Sequence, residues 1–163
     1  MQTTNIVPIF SGGGTRLSAH IGILQALLEM EYQFPAIVGV SGGSIVSSLY
    51  CAGMPLADIK QLALDTDFRQ FREFSITRLL FEGGLASGDH FEQWMDRQLD
   101  GITFAQLEAN LHILATDLHS GKPIIFNRTQ SPDMPVSRAI RYSMSIPLIF
   151  SFKRFNSFGH AVR

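Results

Sequence analysis

With 163 residues, of which 45% are hydrophobic and 17% charged, the chain has the composition of one globular domain with a single core, which excludes a disordered or coiled-coil protein. Its formal net charge of −1 gives no basis for nucleic-acid binding or for a strongly electrostatic membrane partner. Cys51 is the only cysteine, so no intrachain disulfide can form.

Taken along the chain, Asn5 to Phe10 reads as a buried strand, with Pro8 pointing to a sheet edge or a bulge. A glycine loop, Ser11-Gly12-Gly13-Gly14-Thr15-Arg16, leads into a helix reaching about Glu31, in which Ile21, Leu24, Leu27 and Leu28 recur on one face. A second strand is expected from about Ala36 to Val40, then a helix from about Gly42 to Cys51 and a turn at Gly53-Met54-Pro55. Leu56 to Asp65 is predicted helical, with Leu56, Ile59, Leu62 and Ala63 facing the core. Thr66 to Leu85 reads as irregular and aromatic, holding Phe68, Phe71, Phe74 and Phe81. A helix is expected from Ser87, as its N-cap, to Leu99, and a short one from Thr103 to Glu108. Leu111 to Leu118 is a predicted strand, Ser120 to Pro123 a tight turn into Ile124-Ile125-Phe126, and Pro135 to Tyr142 a last helix. This alternation of strands and helices indicates an α/β domain, a three-layer α/β/α arrangement over a mainly parallel sheet.

Two segments carry chemistry. Gly39-Val40-Ser41-Gly42-Gly43 fits G-x-S-x-G between a strand and a helix. It suits either a plain turn or a nucleophile elbow, where a strained turn lifts the serine hydroxyl and aims the Gly42 amide at an oxyanion. Gly12, Gly13 and Gly14 let bare amides crowd around one point, as an anion site requires. A nucleotide-phosphate loop is the competing use, but Leu17 stands where G-x-G-x-x-G needs its third glycine, and G-x-x-x-x-G-K-[ST] does not occur. An oxyanion hole fits better, with Arg16 adding positive charge or holding the loop in shape.

In this order the two segments make the chain resemble the patatin-like phospholipase family of serine lipid acyl hydrolases. Gly12-Gly13-Gly14-Thr15-Arg16 matches its G-G-G-x-R/K block, and Gly39 to Gly43 its G-x-S-x-G block, with Ser41 as nucleophile. Leu111 to Leu118 and Ala139 to Pro147 are similar to the strand after the family's variable middle and to its S-x-S-I-P segment, so the likeness covers nearly the whole chain. It implies the family's variant of the hydrolase fold and a cofactor-free Ser–Asp dyad releasing fatty acids from phospholipids or other acyl esters. It further implies an oxyanion hole of Gly12, Gly13, Gly14 and Gly42, with Gly39, Gly43 and Arg16 in support.

The family's dyad aspartate lies in an Asp-Gly-Gly or Asp-Gly-Ala motif shortly after S-x-S-I-P. No such motif occurs here; Asp100-Gly101-Ile102 is the nearest and comes far too early. The expectation is one domain over residues 1–163, truncated just before that aspartate and impaired in turnover, since a serine needs an adjacent base to take its proton. The truncation would leave a sheet edge open to self-pairing, while the oligomeric state stays open. A non-catalytic lipid-binding protein or truncated pseudoenzyme is one alternative. Another is an acyl transferase with a Ser–His pair, using His119 or His160. Asp117 followed by either histidine also has the order of a Ser-Asp-His triad, but His112, Asp117 and His119 read as structural groups at a strand end.

Around the predicted site, Ser44, Ser47 and Ser48 suit polar-face or helix-packing roles, and Ser143 and Ser145 capping or bracing. Cys51 reads as a small buried hydrophobe. No metal is expected: H-E-x-x-H and paired cysteines are missing, and Asp89 with His90 reads as a solvated helix start. Ile76, Leu79, Leu80, Phe81 and Leu85 with Arg69, Arg72 and Arg78 suit core packing, or an apolar lip on a lipid surface. Met1 to Thr4 has no basic signal region. The longest uncharged stretch, Tyr32 to Ala57, is broken by prolines and glycines and is the elbow itself. A cytoplasmic protein, touching membranes at most peripherally, is therefore expected.

Overall fold

A computed structural model describes residues 4–13, 16–67, 84–86, 88–145 and 148–150. The aromatic cluster, the proposed lip other than Leu85, the expected cap Ser87 and His160 lie outside them. Strands β1 (Ile9–Phe10), β2 (Ile37–Val40), β4 (Leu111–Thr116) and β5 (Pro123–Phe126) form a sheet in the order β1-β2-β4-β5. β1, β2 and β4 are parallel, with Ile9 opposite Val38 and Val40 opposite Leu114. β5 turns back antiparallel on β4. The sheet is therefore mixed, and the fold is α/β. A second pair, β3 (Gly84–Ala86) with β6 (Leu148–Phe150), is also parallel.

The helices among the described residues are α1 (Leu17–Glu29), α2 (Gly42–Cys51), α3 (Leu56–Asp65), α4 (Asp89–Gln98) and α5 (Val136–Ser143). α1 is the crossover between parallel β1 and β2, and its Ile21 and Leu24 are buried. α3 buries Ile59 and lays Leu56, Leu62 and Ala63 against the core, the face its spacing predicts. α2 is buried along almost its whole length and packs on β1, β2 and β4. Ser44, Ser47 and Ser48 are fully buried there, so they serve helix packing and not a polar face. α4 begins after Gly88, whose φ of 67° suits glycine, and packs on α5 through Ser137 Oγ donating to Asp96 Oδ1 (2.6 Å) and an Arg138–Glu92 ion pair (3.2 Å).

Three expectations need correction. β1 is ordered as strand only over Ile9–Phe10, although the Pro8 carbonyl still accepts the Val38 amide at 3.0 Å. Among the described strands β1 is at the edge of the sheet, where a proline's missing N–H is tolerated. The helix expected over Thr103 to Glu108 is a single turn. The Phe104 and Ala105 amides donate to Met134 and Pro132 carbonyls, tying the segment to the approach to α5. β4 stops at Thr116 and not Leu118, because the Asp117 carboxylate takes the amides of His119 and Ser120 and curls the chain into a turn.

Candidate active site

The parallel strands β1 and β2 end side by side, delivering the glycine loop and Ser41 to the carboxyl ends of the strands, where α/β sheets form their binding crevices. Ser41 is the single residue between β2 and α2. Its φ of 51° and ψ of −126° lie where non-glycine residues are strained, at a cost of about 1–3 kcal/mol. Such a conformation persists only when its surroundings hold it.

Those surroundings explain the residue types around Ser41. A Cβ on Gly39 would collide with Ser47 Oγ and stand 2.6 Å from Ser44 Cα, so only glycine lets β2 pass this close beneath α2. A Cβ on Gly43 would overlap the Phe10 carbonyl and lie 2.7 Å from the Ser11 carbonyl oxygen, so α2 presses on the end of β1 at that point. Ser44 Oγ donates to the Ser41 carbonyl and Ser47 Oγ to that of Ser44. The Ser41 amide donates to Ser143 Oγ at 2.7 Å, and Ser143 Oγ donates to the Leu114 carbonyl. One hydroxyl thus bridges the turn, β4 and α5.

The structure brings Gly12 to Ser41: a Cβ on Gly12 would lie 3.6 Å from Ser41 Cβ. Gly42 is the first residue of α2, where helix geometry leaves backbone amides pointing outward. The Arg16 amide donates to the Gly13 carbonyl at 3.0 Å, closing the loop into α1, and its side chain is exposed. Gly14 lies outside the described residues. Ser41 Oγ has no hydrogen-bond partner among the described residues.

The other singled-out groups have local partners. His112 Nδ1 meets Asn127 Nδ2 at 3.2 Å. Asp117 accepts from the His119 amide and from the Ser120 amide and hydroxyl, and these bonds, that of the hydroxyl foremost, hold its pKa below the usual carboxylate value. His119 is exposed in that turn. Ser145 Oγ donates to the Arg141 carbonyl at 2.8 Å and accepts from the buried Arg141 guanidinium, whose pKa desolvation lowers. Cys51 is buried, and burial pushes its thiol up to about 12. Among the described residues no three His, Cys, Asp or Glu side chains gather as metal ligands would, and no helix is long and apolar enough to cross a membrane.

His20 escaped the sequence reading. It lies four residues before Leu24 on the buried stripe of α1, so its burial was available from the helical spacing, and its ring packs against Phe10 at the start of the glycine loop.

Residues 9–158 match the family model described as patatin-like phospholipase. An uncharacterized protein of Acanthamoeba polyphaga mimivirus is 31% identical over 85% of this chain and 51% of its own length. YqhO of Bacillus subtilis, also uncharacterized, is 30% identical over 87% of this chain and 56% of its own. The chain therefore spans about half the length of these curated relatives. Among solved structures, VipD from Legionella pneumophila superposes with a TM-score of 0.68 at 15% identity, covering 95% of this chain and 44% of VipD, a likeness of fold alone.

Proposed function

Because the chain belongs to the patatin-like phospholipase family, a family of lipid hydrolases, we propose that it is a serine acyl hydrolase acting on phospholipid or other lipid acyl esters, with Ser41 as nucleophile. The observation that carries this reading is the Ser41 backbone, held at φ 51° between β2 and α2 with Gly12 against its side chain. A strained serine on a strand-to-helix turn presents its hydroxyl to a carbonyl carbon, and the bared amides beside it meet the charge that develops on the oxygen.

In the proposed reaction Ser41 Oγ bonds to the ester carbonyl carbon and gives up its proton to a base. The Gly42 amide and the glycine-loop amides of Gly12, Gly13 and Gly14 stabilise the oxyanion. Collapse expels the alcohol and leaves an acyl-serine, which water hydrolyses to fatty acid and free enzyme. The family's base is an aspartate, and no Asp-Gly-Gly or Asp-Gly-Ala is present in these 163 residues to supply it. General-base help is typically worth about 10²–10⁴-fold, so these residues by themselves are expected to turn over slowly.

The test compares p-nitrophenyl butyrate hydrolysis and fluorophosphonate labelling for this chain, its Ser41→Ala variant, and a form extended through an Asp-Gly pair. Labelling at Ser41, with faster hydrolysis by the extended form, supports the reading. Labelling that survives Ser41→Ala ends it, and equal hydrolysis by the short and extended forms removes the dyad.

A further inference from the structure

His20 is 9% exposed, and its Nε2 is buried without a hydrogen-bond partner among the described residues. The ring stands edge-on to Phe10, centroids 5.7 Å apart, so Phe10 fixes it beside the start of the glycine loop. Nε2 lies 3.3 Å from the point a Gly13 Cβ would take, while a Cβ on Gly12 would point to Ser41. Two successive glycines therefore rest against two side chains, a hydroxyl-bearing one and an imidazole. Packing on Phe10 asks only for a ring at position 20. The nitrogen is destabilising where it stands unless something bonds to it.

We infer that His20 is a positioning residue for the glycine loop, its Nε2–H donating to a loop carbonyl in the conformation that turns the Gly12 and Gly13 amides toward Ser41. The donor role is the useful one: an Nε2 acceptor would occupy an amide that the oxyanion needs, whereas a donor engages the carbonyl side of the peptide and leaves the amides free. His20 is not read as the general base, because its Nε2 lies beside Gly13 and makes no hydrogen bond to Ser41. The inference rests on the hydrolase reading of Ser41.

His20→Phe keeps the ring and its contact with Phe10 but removes the nitrogen, and His20→Gln restores a polar atom near the same place. In the form extended through the Asp-Gly pair, His20→Phe is expected to lower both kcat for p-nitrophenyl butyrate and the rate of fluorophosphonate labelling about tenfold, below the 10²–10³ for deleting an oxyanion donor outright. KM should stay near the parent value, the melting temperature should not fall, and His20→Gln should recover most of the rate. Parent rates in His20→Phe, or no recovery in His20→Gln, overturn the inference. If the parent itself neither labels nor hydrolyses, the hydrolase reading fails by itself. His20 is then judged by hydrogen exchange at the Gly12 and Gly13 amides: faster exchange in His20→Phe, reversed in His20→Gln, supports the inference, and equal exchange in all three overturns it.

Discussion

The Ser41 amide and the Ser143 hydroxyl, 102 residues apart in sequence, are joined by a 2.7 Å hydrogen bond. Val40 is the last β2 residue in register with β4, opposite Leu114. One residue later the chain leaves the sheet, and the ladder would leave the Ser41 N–H and the Leu114 carbonyl without each other. Ser143 Oγ stands between them, accepting from the first and donating to the second. The end of α5 thereby completes the sheet at the point where Ser41 is strained. Replacing Ser143 by Ala is expected to destabilise the fold by about 1–3 kcal/mol, the cost of stranding part-buried backbone groups. Fluorophosphonate labelling of Ser41 should slow as well, and Ser143→Thr should preserve both properties. Denaturant midpoints together with labelling rates check this; an unchanged midpoint in Ser143→Ala would show that water replaces the hydroxyl at no cost.

Ser41 itself holds a backbone conformation that costs a non-glycine residue stability. At φ 51° and ψ −126° a glycine is unstrained, whereas an alanine suffers as the serine does. Ser41→Gly should therefore be more stable than Ser41→Ala by about 1 kcal/mol, the relief of strain being partly offset by the greater freedom of glycine in the unfolded chain. Both variants should lose labelling. Thermal melts of the two, side by side, decide the matter, and an alanine variant at least as stable as the glycine one would mean that the backbone relaxes.

Two alanine substitutions should have opposite signs. Gly43→Ala drives a methyl into the Phe10 carbonyl, backbone that can move only by shifting β1, so a loss of about 1–3 kcal/mol or more is expected from overpacking. Gly22→Ala, on α1, meets nothing within 4 Å and should raise stability by about 0.5–1 kcal/mol through helix propensity. Denaturant midpoints of both variants test the geometry around the turn; a stable Gly43→Ala would mean that the Phe10 carbonyl gives way to the added methyl at no cost.

What could be read from the residues follows from the range of the forces involved. The faces of α1 and α3 were legible because burial recurs every three or four residues, and the turn at Ser41 because glycine and serine types are dictated locally. The reason for Gly43 was not legible, since the atom it avoids is the Phe10 carbonyl, on strand β1. Nor was the work of Ser143, which read only as a bracing or capping residue until β4 and the Ser41 turn came beside it. The helix expected over Thr103 to Glu108 failed for the same reason: its local signal, with Thr103 N–H donating to Gln106 Oε1, is outweighed by backbone bonds to Pro132 and Met134. β3 and β6, three residues each, carry too little pattern to distinguish strand from loop.

Asp117 supplies a pH signature and a control for the base. Its carboxylate accepts from the Ser120 hydroxyl and from the amides of Ser120 and His119, which favours the charged form in the folded chain and depresses its pKa. A depressed folded pKa means that the stabilisation is complete above the unfolded value, near 3.9, and is lost as pH falls through the folded one. Asp117→Asn keeps an acceptor but has no charge, so it should be less stable than the parent at pH 7, and the gap should close as the pH is lowered below about 4. Urea midpoints at pH 7 and pH 3 measure it, and a gap of the same size at both would remove the charge from the account. Because these bonds already engage the carboxylate within its own turn, Ser41 labelling should be the same in Asp117→Asn as in the parent. A variant that labels markedly more slowly would instead point to Asp117 as the group that takes the Ser41 proton.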